Sequence, residues 1–121
     1  MIQGLVGKET QPVIPLMVGW NRGVQEITAI IDTGFSGELK VPPKMIAELG
    51  LEVTHVQPVL LANGASATMR ASVAFVAMEG ETKEVNVLIS EGRAVLGGGL
   101  LKMFGYKLIV DYKGGSVTLE K

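Results

Sequence analysis

Short runs of alternating apolar and polar residues, separated by glycine-containing turns, dominate the pattern of the chain. Alternation with a period of two is typical of half-buried strands. It predicts strands over residues 24–31, 38–41, 68–78, 84–89, 107–112 and 116–119, and the continuous apolar run over residues 12–18 predicts another. Two other segments favour helix, one that follows Pro43 and stops at Gly50 and one over residues 100–105. Many short strands with one or two short helices predict an all-β fold, a closed β-barrel.

Turn residues divide these strands into hairpins. Asn63-Gly64 is a strong hairpin signal, because both residue types tolerate positive φ. The first strand contains Pro12 and Pro15, and proline has no N–H to donate to a neighbouring strand. These prolines favour a strand at the edge or near the start of a sheet.

Composition is that of a globular protein. A chain of 121 residues suits a single domain, residues 1–121. Hydrophobic residues make up 47% and charged residues 19%, which favours a folded core over disorder. The net charge is −1, and the 11 basic residues are scattered along the chain without a basic stripe. We therefore expect no nucleic-acid partner.

Cysteine and histidine counts exclude several kinds of site. The chain has no cysteine, which excludes disulfides and thiolate metal sites, and His55 is its only histidine. No uncharged apolar run approaches the roughly 20 residues that a membrane-spanning helix needs. The first residues lack the basic and apolar pattern of a signal peptide. We expect no metal, no membrane partner and a cytoplasmic location.

The segment Ile30-Ile31-Asp32-Thr33-Gly34 is the strongest chemical signal in the chain. An apolar run ends in a carboxylate, and a hydroxyl and a glycine follow at once. Buried strand residues would hold the acid rigidly, and Gly34 would let the loop turn sharply. Taken alone, the same residues are also ordinary turn chemistry after a strand.

A second apolar segment ending in glycine, residues 94–97, precedes the helix predicted over residues 100–105. The order of acid loop, central hairpins, apolar-Gly strand, short helix and final strand resembles the retropepsin-like aspartic proteases over roughly residues 12–119. The resemblance implies a retropepsin-like closed barrel in which Leu96 and Gly97 support the Asp-Thr-Gly loop from below. A phosphate loop at Gly97-Gly98-Gly99 is disfavoured, because no Lys-Ser/Thr pair completes it.

The resemblance also implies an aspartic endopeptidase that acts on polypeptides and needs no metal or cofactor. Such catalysis requires two carboxylates that share one proton. The only aspartates are Asp32 and Asp111, and Asp111 is not followed by Thr-Gly. We therefore expect the second catalytic carboxylate to be Asp32 of another copy, in a two-fold homodimer.

The same resemblance implies roles for the residues around Asp32. Thr33 would form a hydrogen bond across the two-fold axis, although a local turn bond is the alternative. The hairpin turn at Asn63 and Gly64 lies where the substrate-covering flap is expected, unless it is an ordinary surface hairpin.

Phe35 departs from the family pattern, in which a small residue or a hydroxyl commonly follows the motif. Ser36 is the next hydroxyl that could reach the acid. Phe35 therefore keeps open a catalytically silent peptide-binding module on the same fold, and a small barrel without an acid site is a third alternative.

The apolar chain ends, residues 1–6 and 117–119, are candidates for a sheet between two copies, by resemblance to viral members of the family. They could equally pair within the chain.

Overall fold

The computed structural model describes residues 1–60 and 63–121. Its strands are β1 (Ile2–Val6), β2 (Pro12–Trp20), β3 (Gly23–Asp32), β4 (Leu39–Val41), β5 (His55–Leu60), β6 (Ser66–Met78), β7 (Glu81–Ile89), β8 (Val95–Gly97), β9 (Lys107–Asp111) and β10 (Ser116–Glu120). The α-helices are α1 (Lys44–Leu49) and α2 (Gly98–Phe104), and a 3-10 helix spans Lys8–Thr10. This content confirms the predicted all-β class with short helices.

Six of the strands close into a barrel. They run in the order β6-β7-β4-β8-β3-β2, and β2 pairs back onto β6 from Met17↔Ala77 to Gly19↔Phe75. The sheet continues beyond β2 through β1, β10 and β9, and β5 is added to β6 on the other side. In the described sheet, β5 and β9 are therefore the edge strands. The closed barrel confirms the predicted architecture.

The prolines of β2 favour a strand at the edge or near the start of a sheet, and the structure shows that β2 is not an edge strand. One side of β2 pairs with β3 from Val13 to Trp20. The other side pairs with β1 at residues 12–13 and with β6 at residues 17–19. Pro15 falls in the gap between these two pairings, where a residue without an N–H is tolerated.

Alternate side chains of the barrel strands fill the core. Ile31 of β3, Leu39 of β4 and Leu96 of β8 are all buried, and Met45 and Leu100 from the two α-helices pack with them. Burying an aliphatic side chain of this size stabilises the fold by about 1.5–3 kcal/mol. These buried side chains therefore fix the positions of β3 and β8, the strands that carry Asp32 and Gly97.

The chain ends pair with each other within the chain. Strands β1 and β10 are antiparallel from Ile2↔Leu119 to Leu5↔Ser116. The apolar ends could pair within the chain or form a sheet between two copies, and the structure shows the pairing within the chain. Strand β9 is left as the edge of this part of the described sheet. Neither α-helix of the described chain is long and apolar enough to cross a membrane.

Candidate functional site

Strand β3 brings Asp32 to the surface at its last position. Because side chains alternate along a strand, Ala29 and Ile31 point into the core with exposed fractions of 0% and 4%. Ile30 and Asp32 lie on the opposite face, and Asp32 is exposed. The buried neighbours fix the strand while the carboxylate stays accessible to a ligand.

The segment that ends in Gly97 passes directly beside the acid. Strand β8 lies between β3 and β4, parallel to β3 with Asp32 opposite Gly97, and antiparallel to β4 with Leu39 opposite Leu96. The chain thus leaves β3, loops over the end of β8 and returns as β4. Leu96 and Gly97 therefore lie beneath the acid loop.

Three backbone hydrogen bonds fix the loop on the end of β8. The N–H groups of residues 97, 98 and 99 donate to the carbonyls of Glu38, Phe35 and Gly37 at 3.0, 2.9 and 3.1 Å. Glycine is required at position 97, because a Cβ there would lie 2.3 Å from the Gly37 carbonyl oxygen and 2.5 Å from that of Phe35. The close approach of two backbone segments therefore makes the loop rigid.

A tight turn orients the carboxylate of Asp32. The Gly34 N–H donates to Oδ1 of Asp32 at 2.9 Å, and the Phe35 N–H donates to the Asp32 carbonyl at 3.1 Å. The hydrogen bonds of the described residues give this carboxylate no side-chain donor, and Thr33 and Ser36 are both exposed. The outer oxygen, Oδ2, is thus free to face a ligand or a second carboxylate.

Phe35 packs onto the loop instead of pointing away from it. A Cβ on Gly37 would lie 2.5 Å from Cζ of Phe35, and a Cβ on Gly97 would lie 2.7 Å from Cδ2 of the same ring. The ring therefore packs against two glycines, and it is half-buried. It fills the position at which the family commonly has a small residue or a hydroxyl.

A cleft of about 680 Å³ opens beside Asp32, between the acid loop and strand β5. Its described lining consists of Asp32, Gly34, Phe35, Ser36, Gly37, Glu38, Gln57, Pro58, Val59, Leu60 and Leu88. Asp32 and Glu38 are the only charged members of this lining, and Glu38 uses Oε1 to accept the Asn86 N–H at 2.9 Å. Apart from these two acids, the lining combines the apolar side chains of Phe35, Pro58, Val59, Leu60 and Leu88 with the polar side chains of Ser36 and Gln57.

The hairpin of β5 and β6 forms one wall of this cleft, but through strand residues that sequence reasoning missed. Gln57 to Leu60 line the cleft, whereas Asn63 and Gly64 lie exposed at the turn, where Asn63 Oδ1 accepts the Ala65 N–H at 3.0 Å and Gly64 has φ +84°. Leu61, which also belongs to the apolar run before this turn, lies outside the described residues. No local signal in the sequence marks these residues as cleft lining; in the folded chain Leu60 is 78% exposed at the end of its strand.

Asp111, the other aspartate, takes no part in the site. Its Oδ1 accepts the Gly114 N–H at 2.9 Å in the turn between β9 and β10. Strand β9 is four strands away from β3 in the sheet, which corresponds to about 15–20 Å at normal strand spacing. One chain therefore presents a single aspartate at the cleft. Separately, no three His, Cys, Asp or Glu side chains among the described residues are grouped closely enough to hold a metal ion.

Comparisons with known proteins agree with this geometry. A family model described as aspartyl protease matches residues 14–103. A retropepsin-like aspartic protease from Rickettsia conorii has a similar structure, with TM-score 0.64 and 18% identity over 98% of this chain and 87% of that one. The EIAV protease, solved with the inhibitor HBY-793, gives TM-score 0.63 and 14% identity over 86% and 97% of the two chains.

The protease of simian foamy virus (mac) is a third similar structure, with TM-score 0.52 and 16% identity over 78% of this chain and 99% of that one. At these identities the three structures establish the fold. No curated protein sequence matches the chain.

Proposed function

The chain belongs to the aspartyl protease family, with the retropepsin-like fold, and we propose that it is an aspartic endopeptidase active as a homodimer. Asp32 of each copy would contribute one carboxylate to a dyad. Like charges about 3 Å apart cannot both ionise, so one carboxyl group keeps its proton and polarises the scissile carbonyl. The other accepts a proton from the attacking water. The dyad would thus supply both acid and base without a metal or cofactor.

The observation that carries this proposal is the exposed carboxylate of Asp32 on a rigid loop at the cleft. Three backbone hydrogen bonds hold the loop, whereas Asp32 itself accepts only the Gly34 N–H among the described contacts. The carboxylate is therefore held in place but keeps an oxygen without a hydrogen-bond donor among the described residues. A shared proton between two carboxylates across a two-fold axis requires such an oxygen. A two-fold axis brings one surface patch against itself, so two copies of Asp32 can meet in this way.

The shape of the cleft favours an extended polypeptide as substrate. Strand β5 forms one wall, and within the described sheet it pairs only with β6, so its other edge keeps backbone groups available for pairing. An extended peptide can add to such an edge through its main chain, while pockets accept its alternate side chains. The turn at Asn63 and Gly64 would let the hairpin close over the bound peptide and exclude water.

Cleavage of an unbiased peptide library tests the proposal. We expect internal cleavage of peptides by the purified chain, and we expect a peptide with a statine in place of the scissile bond to block it, because statine mimics the tetrahedral transition state. Cleavage that survives the statine peptide, or that is blocked by metal chelators, would contradict the dyad.

We expect the chain to form a dimer whose axis passes beside Asp32. Sedimentation equilibrium measures this directly, over a range from about one to one hundred micromolar, with and without the statine peptide. Occupancy of the joint site should strengthen the dimer, because a ligand that binds only the dimer shifts the equilibrium towards it. A strictly monomeric chain that nevertheless cleaves peptides would contradict the shared dyad.

A catalytically silent peptide-binding module on the same fold is the second candidate function. Phe35 favours it, because phenylalanine at this position in the sequence has no hydroxyl to donate to the outer carboxylate oxygen. The library assay separates the two functions: the silent module would bind the statine peptide and its cleavable counterpart with similar affinity and would release no product.

A further inference from the structure

A second pocket includes Ile30, which lies on the same face of β3 as Asp32. It has a volume of about 450 Å³. Its described lining consists of Lys8, Glu9, Gln11, Ile30, Lys40, Arg93 and Val95. Three cations and one acid give it a formal charge of +2, in a chain whose net charge is −1. We call it the cationic pocket.

Strand register fixes the distance between the cationic pocket and Asp32. Lys40 of β4 is opposite Val95 of β8, and Val95 is opposite Ile30 of β3, so the three residues form one row across the sheet. Ile30 and Asp32 are two positions apart on β3 and share a face. Two residues of a strand span about 7 Å. The floor of the pocket is therefore within reach of a peptide bound at Asp32.

The three cations of the pocket have no carboxylate partner. Across residues 1–60 and 63–121, the salt bridges join other residues and none involves Lys8, Lys40 or Arg93. The side-chain hydrogen bonds of the described residues likewise leave these three cations unused, and Glu9 of the same pocket does not pair with them. Their charge is thus available to a ligand.

We propose that the cationic pocket receives an acidic side chain of the polypeptide substrate, at a position within two residues of the scissile bond. This inference rests on the proposed function. An extended peptide advances about 3.3 Å per residue, so a side chain two residues from the bond at Asp32 can span the roughly 7 Å to the row of Ile30 and Val95. The apolar floor would contact the methylene groups of a glutamate, and the surrounding cations would contact its carboxylate.

The charge arrangement of the two pockets also gives a reason for selectivity. The cleft beside Asp32 carries only acidic charges among its described residues, so an acidic side chain is disfavoured there and favoured in the cationic pocket. A single exposed ion pair contributes about 2- to 5-fold in affinity, and three cations around one carboxylate should together give roughly tenfold. The preference should weaken as salt screens the charges.

Binding of non-cleavable peptides tests the inference. The probes are fluorescein-labelled alanine heptapeptides with a central statine and an amidated C-terminus, and they carry glutamate or glutamine at one flanking position at a time. At low ionic strength, we expect one position at which the glutamate probe binds the wild-type protein about tenfold more tightly than its glutamine counterpart.

The double variant Lys8→Gln/Arg93→Gln should lose this preference and keep its affinity for the glutamine probe. Lys113→Gln, which removes an exposed cation from the β9–β10 turn, is the matched control and should keep the preference.

Equal binding of glutamate and glutamine probes at every position would overturn the inference while leaving the proposed function intact. Failure of all probes to bind would instead overturn the proposed function, and the inference with it. Probes with a free C-terminal carboxylate test the source of the negative charge. If the cationic pocket favoured this carboxylate and not the glutamate side chain, its assignment to an acidic side chain would be overturned. Dissociation of the dimer by Lys8→Gln/Arg93→Gln in sedimentation would identify the pocket as a subunit contact and would also overturn it.

Discussion

Replacing Asp32 with asparagine should abolish peptidase activity and leave the fold unchanged. Asparagine keeps an Oδ1 that can accept the Gly34 N–H, which is the hydrogen bond that orients the native side chain at 2.9 Å. It cannot accept a proton from water, so the dyad loses its base. General acid–base catalysis contributes about 10²–10⁴-fold to a rate, and a dimer with both copies changed should fall by at least that factor. The library assay measures the rate, and circular dichroism with urea unfolding measures the fold.

Mixing the variant with wild-type protein tests whether the dyad is shared. If each active dimer needs two copies of Asp32, an equal mixture of freely exchanging chains should contain about one quarter fully wild-type dimers. Activity should then fall to about half of that of the same amount of wild-type chain alone. Activity that stays proportional to the wild-type chains, without any loss on mixing, would show that each chain acts independently. Undiminished cleavage by Asp32→Asn alone would remove Asp32 from the mechanism.

Local alternation over residues 24–31 was sufficient to predict β3, the strand that carries Asp32. The apolar segment 94–97 is also a local signal, but its role as the strand beneath the acid loop, β8, was implied by the resemblance and not by the local pattern. The closure of the barrel, by contrast, could not be predicted from local patterns. It depends on pairing between β2 and β6, in which the paired residues are more than fifty positions apart in the chain, and only part of each strand takes part.

The walls of the cleft were not predictable from local pattern. Gln57 to Leu60 read as one half of an ordinary hairpin, and only the folded structure brings them opposite the acid loop. Phe35 was identified as a departure from the family pattern, but the contact of its ring with Gly37 and Gly97 depends on how two distant loops cross.

The cationic pocket illustrates the same limit for charge. Lys8, Lys40 and Arg93 are scattered in sequence, and no basic stripe marks them. Their convergence follows from strand order, because β4, β8 and β3 are neighbours although β4 and β8 are more than fifty residues apart. A linear count of charges can argue against a continuous basic surface, but it does not detect a small pocket built from separate segments.

Replacing Gly97 with alanine should destabilise the fold strongly. The added Cβ would lie 2.3 Å from the Gly37 carbonyl oxygen and 2.5 Å from the Phe35 carbonyl oxygen. Both neighbours are backbone atoms, so the acid loop must move, and its hydrogen bonds from residues 97–99 would be strained. Overpacking of this kind costs about 1–3 kcal/mol in the free energy of unfolding. For a domain of this size we expect the melting temperature to fall by about 4–12 °C.

Gly98→Ala is the matched control for this prediction. A Cβ at residue 98 would meet its nearest atoms at 3.9 Å, which is ordinary van der Waals contact. Residue 98 also opens helix α2, and alanine favours helix over glycine by about 1 kcal/mol in a helix interior. Urea unfolding should therefore give Gly98→Ala a stability equal to or above that of the wild type, and only Gly97→Ala should be less stable. Equal stability of the two variants would show that the loop does not rest on Gly97, and the rigid positioning of Asp32 would then need another source.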